Sequence, residues 1–309
     1  MKIQRILAAT DLSPCAAYAE TRAAMLCAEI KLERLGLITV VEPGVAGKLE
    51  RLLEGVPGAA EVSLMQRTWI DLKRASARLK SETGIACDCF VESGRPASVI
   101  AEKAEKLSAE LIVAGEHGCG SVTGVFLGNT PYRLLHTGRR PLLVVRNQPE
   151  HPYRSILVPV DFSDDSMLAA QIALALSPHA EVTLLHAFEA VNEGMMHYAG
   201  VSREYIDEYR AGAREAAVLG MERFMEKLGS RERPVRSDIR LGAPAFVIQE
   251  YVEKSRPELI VIGKHGNSRI EDILIGSVTR HAMDDTDCDI LVAIGSRDAD
   301  GSLLTSHHA

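Results

Sequence analysis

With 309 residues, 46% of them hydrophobic and 25% charged, the chain has the length and composition of two ordinary globular domains. The net charge is −7 and no basic stripe interleaved with aromatic residues occurs, which argues against nucleic acid as a partner. The apolar runs are of strand length and the first residues lack an apolar core followed by a cleavage site, so no membrane partner is expected and the cytoplasm is the expected compartment.

In chain order, the apolar run from Ile6 ends at Asp11 and Ser13, and Glu42–Ala60 is loop-rich. Cys87 and Cys89 lie two apart on an expected strand, which turns both thiols to one face with Ile85 and Val91. Buried free thiols are expected there, because a metal site needs two more ligands that the local sequence does not offer. Six cysteines in a chain of this size also do not make a disulfide scaffold. Leu142–Val145 is a last short strand, and residues 147–153, with two prolines, read as a linker.

In the second half Ser155–Val160 is a strand, and Ser163 is the expected N-cap of a helix through Leu176. Glu181–Phe188 is a second strand, Glu189–Ser202 is loop-rich, and Arg203–Leu228 is a long helix. Val235–Leu241 is a third strand, after which Pro244 opens a helix running to about Lys254. Glu258–Ile262 is a fully apolar fourth strand, followed by a glycine-containing loop, a short helix near Val278–Met283 and a fifth strand, Asp289–Ala293. Residues 295–309 lack periodicity and are expected to be disordered; His307 and His308 in that tail are given no function.

The two halves repeat each other. Gly94, Pro96, Ala97, Val99, Ile100, Glu110–Val113, Gly115, His117 and Gly118 recur at one constant offset as Gly242, Pro244, Ala245, Val247, Ile248, Glu258–Val261, Gly263, His265 and Gly266. Ile6–Ser13 answers Ile156–Ser163 at a slightly longer offset. Apolar strands separated by helices indicate a parallel sheet covered on both faces. The expected architecture is α/β, with two tandem, doubly wound, five-stranded Rossmann-like domains at 1–146 and 154–294. Their short apolar edges, Leu142–Val145 and Ile290–Val292, are expected to pair, packing the halves as a pseudo-dimer.

The chemistry lies in the loop after the fourth strand of the second half, where Gly263, Gly266, Gly276 and Ser277 form a G-x2-G-x9-G-S pattern closed by a helix. Glycines let backbone N–H groups approach phosphate oxygens, and a helix start adds unpaired donors and partial positive charge. Ser277 is an N-cap, a phosphate ligand or both. Gly118-Cys-Gly120-Ser-Val-Thr-Gly124 looks like a dinucleotide fingerprint but follows the fourth strand, and no glycine-rich turn follows Ala9 or Pro159, which argues against a classical NAD site. His117 and His265 are taken as exposed loop residues near a phosphate site rather than catalytic bases. No catalytic group and no metal site are assigned.

With this loop, the Asp161 strand end and the G-x-P segment at Gly242–Pro244, the sequence resembles the universal stress protein family in its tandem form, over residues 3–146 and 154–293. The resemblance implies ATP as ligand, alone or with Mg, held without efficient turnover. It places Ile262, Gly263, His265, Gly266, Asn267, Arg269, Gly276, Ser277 and Val278 at phosphates and ribose, and Pro159, Asp161 and Ala187 at the strand ends that meet adenine and sugar. Asp161 is either a turn-former or, in addition, a contact to a cation on the triphosphate.

The corresponding first-half positions are Asp11, Val40, Gly115, Gly118, Gly128, Asn129 and Thr130. Asn129 replaces the Ser of the motif, Pro131 follows at once, Ala9 stands for Pro159, and Glu116 stands for Lys264, where its charge is expected to repel a triphosphate. A weakened first site is therefore expected. The reading that results is a stress-response regulatory protein whose second domain binds adenine nucleotide. A slow ATPase or adenylate-handling enzyme and a nucleotide-free scaffold are the alternatives, and a homodimer is left open as an assembly.

Overall fold

A computed structural model of the chain describes residues 2–43, 59–116, 129–190, 193–229, 235–266 and 276–295. The first half runs β1 (Ile6–Ala9), α1 (Ala16–Glu29), β2 (Arg34–Val41), α2 (Ala59–Thr83), β3 (Ala86–Ser93), α3 (Pro96–Lys106), β4 (Leu111–Gly115), α4 (Asn129–Thr137) and β5 (Leu142–Val145). The second repeats the series as β6 (Ser155–Pro159), α5 (Asp164–Leu176), β7 (Glu181–Phe188), α6 (Glu193–Tyr198), α7 (Arg203–Leu228), β8 (Val235–Leu241), α8 (Pro244–Ser255), β9 (Leu259–Gly263), α9 (Ser277–Asp285) and β10 (Asp289–Ala293). The expected elements of this half are present with small shifts at their ends. The segment Glu189–Ser202 differs from its expectation by containing α6; most of Glu42–Ala60, the dinucleotide-like run and the tail beyond Gly295 lie outside the described residues.

The recurring G-x-P segment has a stereochemical cause. Gly94 and Gly242 sit at φ +144 and +141, a conformation that favours glycine, as the chain turns out of β3 and β8. Pro96 and Pro244 then start α3 and α8, where the missing N–H is no loss.

Among the described residues the ten strands form one sheet in the order β3-β2-β1-β4-β5-β10-β9-β6-β7-β8. Within each half the strands are parallel, and the order reverses between β1 and β4 and again between β6 and β9. The halves join through an antiparallel pair, with Ile290 opposite Val144, Leu291 opposite Leu143 and Val292 opposite Leu142, as the expected pairing of apolar edges requires.

Helices cover both faces, and each face holds a core that crosses the joint. Leu143 and Leu291 belong to one cluster with residues of α1, α2, α5 and α7, whereas Leu142, Val144, Ile290 and Val292 belong to the other. This is the strand alternation applied across two domains. Cys87, Cys89 and Val91 pack against the first cluster on one face, but the two thiols are only half-buried because β3 is an edge strand.

The segment 147–153 is pinned rather than loose. The backbone amides of Arg146 and Asn147 donate to Asp289 Oδ1 at 2.8 and 3.2 Å, and the buried Tyr153 hydroxyl donates to Asp289 Oδ2 at 2.5 Å. Arg22 of α1 stacks on the Tyr153 ring, 3.8 Å from its centroid, and lies 3.6 Å from Asp289. Burial and the neighbouring Asp289 charge push the Tyr153 hydroxyl well above its ordinary range. Among the described residues, no helix is long and apolar enough to cross a membrane.

Candidate functional site

The site lies at the carboxyl ends of β6 and β9, where the strand order reverses and a doubly wound sheet leaves a crevice. Val160 N donates to Leu185 O of β7 at 2.9 Å, so strand alternation turns the backbone of Pro159 toward β9. Proline has no N–H to give there. The β6–β9 register accordingly covers only Ile156 with Leu259 and Leu157 with Ile260, whereas β1 and β4 stay paired through Ala9 and Ala114. The hydrogen-bonded register ends at Leu157, and a cavity of about 300 Å³ lies at the carboxyl ends of the two strands.

The corner after β6 is held by side chains. Asp161 Oδ1 accepts from Ser163 N at 3.1 Å and from the Ser163 hydroxyl at 2.5 Å, and Ser163 Oγ caps α5 by accepting from Ser166 N at 3.2 Å. Asp161 is thus a turn-former. Between them Phe162 adopts φ +65, and its first-half counterpart Leu12 adopts φ +62, a conformation that non-glycine residues hold only when their surroundings enforce it. The Phe162 ring stacks on His186 at 4.1 Å, and His186 Nδ1 lies 2.8 Å from Val160 O.

The glycine loop is clasped at both ends. Gly276 N donates to Lys264 O at 3.0 Å, and the Thr279 hydroxyl donates to Gly263 O at 2.8 Å. A Cβ on Gly263 would stand 2.9 Å from Asp165 Cβ and 3.0 Å from its backbone, which excludes a larger residue, whereas one on Gly266 would stand 2.8 Å from Asp161 Oδ2 and would have to displace that carboxylate. Gly276, not Ser277, is the N-cap of α9; Ser277 is the first helical residue, which corrects its reading as a cap. The first turn of α9 carries no acidic side chain, leaving its positive end uncompensated from within the helix.

Of the expected site residues, Pro159, Asp161, Ala187, Ile262, Gly263, His265, Gly266, Gly276, Ser277 and Val278 all line the cavity. Asn267 and Arg269 lie outside the described residues. Sequence reasoning missed Val160, Ser166, Leu185, Pro244, Ile248 and Thr279. Two of these had a signal: Leu185 shares a strand face with Ala187, and Pro244 belongs to the recurring G-x-P segment.

His265 is not the exposed loop residue expected. Its side chain is 18% exposed, and Nδ1 lies 3.5 Å from Oδ2 of Asp165, which is 6% exposed in the first turn of α5. Among the described residues, no group of three or more His, Cys, Asp or Glu side chains could hold a metal ion.

In the first half, Asp11 Oδ1 accepts from Ser13 N at 3.0 Å and Ser13 Oγ from Ala16 N at 3.1 Å, so the corner is retained. Val40 lies on β2, Gly115 ends β4, and Asn129 and Thr130 open α4; Gly118, Gly128 and His117 lie outside the described residues. Glu116 does not stand as a bare charge. It forms an ion pair at 2.7 Å with Arg146, which corrects the expectation of simple repulsion.

The sequence model of the universal stress protein family matches residues 2–146 and again 152–293. Over 305 residues the chain is 23% identical to the universal stress protein E homolog of Haemophilus influenzae, covering 94% of this chain and 97% of that protein. Over 151 residues it is 30% identical to universal stress protein MJ0531 of Methanocaldococcus jannaschii, covering 48% of this chain and 86% of that one. A crystal structure of a universal stress protein from Archaeoglobus fulgidus is similar in fold, with a TM-score of 0.68 at 17% identity, over 95% of this chain and 99% of that one. With both halves matched, the chain belongs to the universal stress protein family in its tandem two-domain form.

Proposed function

We propose that this protein binds adenine nucleotide for a regulatory role in the stress response, with ATP held mainly by the second domain, 154–294. The observation that carries this reading is the cavity at the carboxyl ends of β6 and β9, which brings the strand-end residues and the glycine loop to one place. Among its lining residues, Leu185, Ala187, Ile248 and Ile262 are apolar and suit a base. The N-terminus of α9 and the glycines before it line the same cavity and suit phosphate. In the domain 1–146, Asn129 replaces the Ser of the motif and Pro131 follows at once, and both disfavour the same ligand. A magnesium ion would enter on the triphosphate.

Native mass spectrometry of the purified protein, followed by calorimetric titration with ATP, tests this. One adenine nucleotide per chain is expected, displaced by AMP or a cyclic nucleotide only if the phosphate chain contributes little. Two per chain would remove the emphasis on the second domain, and none would favour a nucleotide-free scaffold.

A further inference from the structure

The long helix α7 carries an apolar stripe on its outer side. Tyr205, Tyr209, Gly212, Ala216 and Leu219 follow one another at alternating spacings of four and three residues, which places them within an arc of about 80° on a helix. All five are exposed, with Tyr205 67%, Tyr209 38% and Leu219 45% accessible. Ile206, Ala217 and Phe224, which hold α7 to the core, point about 100° away from the middle of the stripe. A Cβ on Gly212 would meet nothing within 4 Å, so the centre of the stripe is open to close approach.

Along the flank away from the core stand Glu208, Glu215 and Glu222, seven residues apart and all exposed. The positions three and four residues from each hold no Lys or Arg, so none has the helix-internal partner that offsets such a charge. Lys227, near the C-terminal end of the stripe, is committed to Asp164 at 3.2 Å. The fold does not require this surface. Matching α2 to α7 by their buried positions, Leu72 to Ala217 and Leu79 to Phe224, puts Arg67, Asp71 and Arg74 where α7 has Gly212, Ala216 and Leu219. Ile70 and Ala77 then stand where α7 has Glu215 and Glu222. The first half thus has a polar stripe, with Arg74 and Asp71 ion-paired at 2.8 Å, beside an uncharged flank.

A stripe with this spacing is matched by the corresponding stripe of a second helix. A second copy of α7, laid antiparallel with Gly212 on Gly212, would set Glu208 of each copy against Glu215 of the other. Like charges in that register disfavour the pairing. A helix bearing cations opposite the glutamate row would instead be attracted, and Gly212 and Ala216 leave room for its side chains between the two tyrosines and Leu219.

We propose that this face of α7 is a docking surface for a basic amphipathic helix of a partner protein, with apolar side chains at three- and four-residue spacing and Lys or Arg on its flanks. The surface is separate from the second-domain cavity, and the proposal stands whatever that cavity holds.

The test uses the full chain and three labelled helical peptides of about 21 residues, three heptads each. One has leucines at the core positions and lysines on the flanks, the second has glutamates for the lysines, and the third has serines for the leucines. Fluorescence anisotropy should show binding of the lysine peptide alone, weakening as salt is added. Tyr205→Ser with Leu219→Ser should reduce that affinity on the order of tenfold or more. Glu208→Lys with Glu215→Lys should reduce it about tenfold and make the glutamate peptide the preferred ligand. The substituted side chains are exposed, circular dichroism checks that each variant is folded, and Glu215→Lys alone carries the comparison if a double variant is not. Failure of the lysine peptide to bind, equal binding of the serine peptide, or an unchanged preference after charge reversal would each overturn the proposal. So would sedimentation showing a dimer of the wild type that Leu219→Ser dissolves, because a second copy would then occupy this face.

Discussion

Arg146 Nε stands 2.7 Å from the Glu116 carboxylate, with the two side chains 8% and 24% exposed. The same guanidinium donates to the carbonyls of Thr286 and Met283 at the end of α9. A residue of the degenerate first loop is thus tied to the last turn of the helix whose first turn borders the second-domain cavity. A cation at a helix C-terminus is also favoured by the helix dipole.

Arg146→Ala should therefore destabilise the protein by about 2–3 kcal/mol, since it leaves Glu116 without this cation and two carbonyls without their donor. Glu116→Gln should cost less, under about 1 kcal/mol, because a partly exposed pair is screened and Arg146 keeps its carbonyls. Urea denaturation measures both. Equal losses would mean that the carbonyl contacts contribute nothing.

Gly276 and Gly263 of the second-half loop should respond differently to substitution. A Cβ on Gly276 would find its nearest atom at 3.4 Å and the backbone φ is −57, so Gly276→Val should fold while losing ATP affinity on the order of 100-fold through contact with the phosphates. Gly263→Ala, meeting Asp165 at 2.9 Å, should instead cost about 1–3 kcal/mol of stability. Gly128→Val, the first-half counterpart of Gly276→Val, should change affinity little. Titration and circular dichroism together check this, and equal affinity losses for the two valine variants would end the asymmetry between halves.

Thiol reactivity should follow burial. Burial, with Cys87 nearby, pushes the Cys27 thiol up to about 12, and burial pushes Cys288 up to about 11, while Cys15 is exposed. Only the thiolate reacts, so at neutral pH Cys15 should be alkylated before Cys27 and Cys288, which should react only on unfolding, as read by mass spectrometry. A raised folded value contributes stability that is complete below the ordinary 9.0 and lost as pH climbs toward about 12. The urea midpoint should accordingly fall above about pH 9, and Cys27→Ser should flatten that fall if it folds.

ATP hydrolysis, where it occurs, should run on the order of 1 s⁻¹ or below. Among the described residues there is no cluster of carboxylates, histidines or cysteines to hold a catalytic metal, and the Lys264 side chain is buried rather than presented. A phosphate-release assay showing far faster turnover, abolished by His265→Gln, would make the His265–Asp165 pair catalytic.

The repeat, the alternation of strands and helices, the apolar edges that join the halves, and most of the cavity lining were legible in the sequence. They depend on neighbours along the chain: strand alternation places Leu185 with Ala187, Ser163 caps the helix it precedes, and Gly242 with Pro244 sets a turn and a helix start. What each charged residue does was not legible. Glu116 reads as a repulsive group until the joint of the two sheets brings Arg146 to it, and His265 reads as exposed until α5 brings Asp165 against β9. Pro159 reads as one substitution for Ala9, yet only the sheet order makes its missing N–H face β9 and end the ladder beside the cavity. Local stereochemistry is written in adjacent residues; the partner of a charge or an unpaired donor is set by which distant strands the topology makes neighbours.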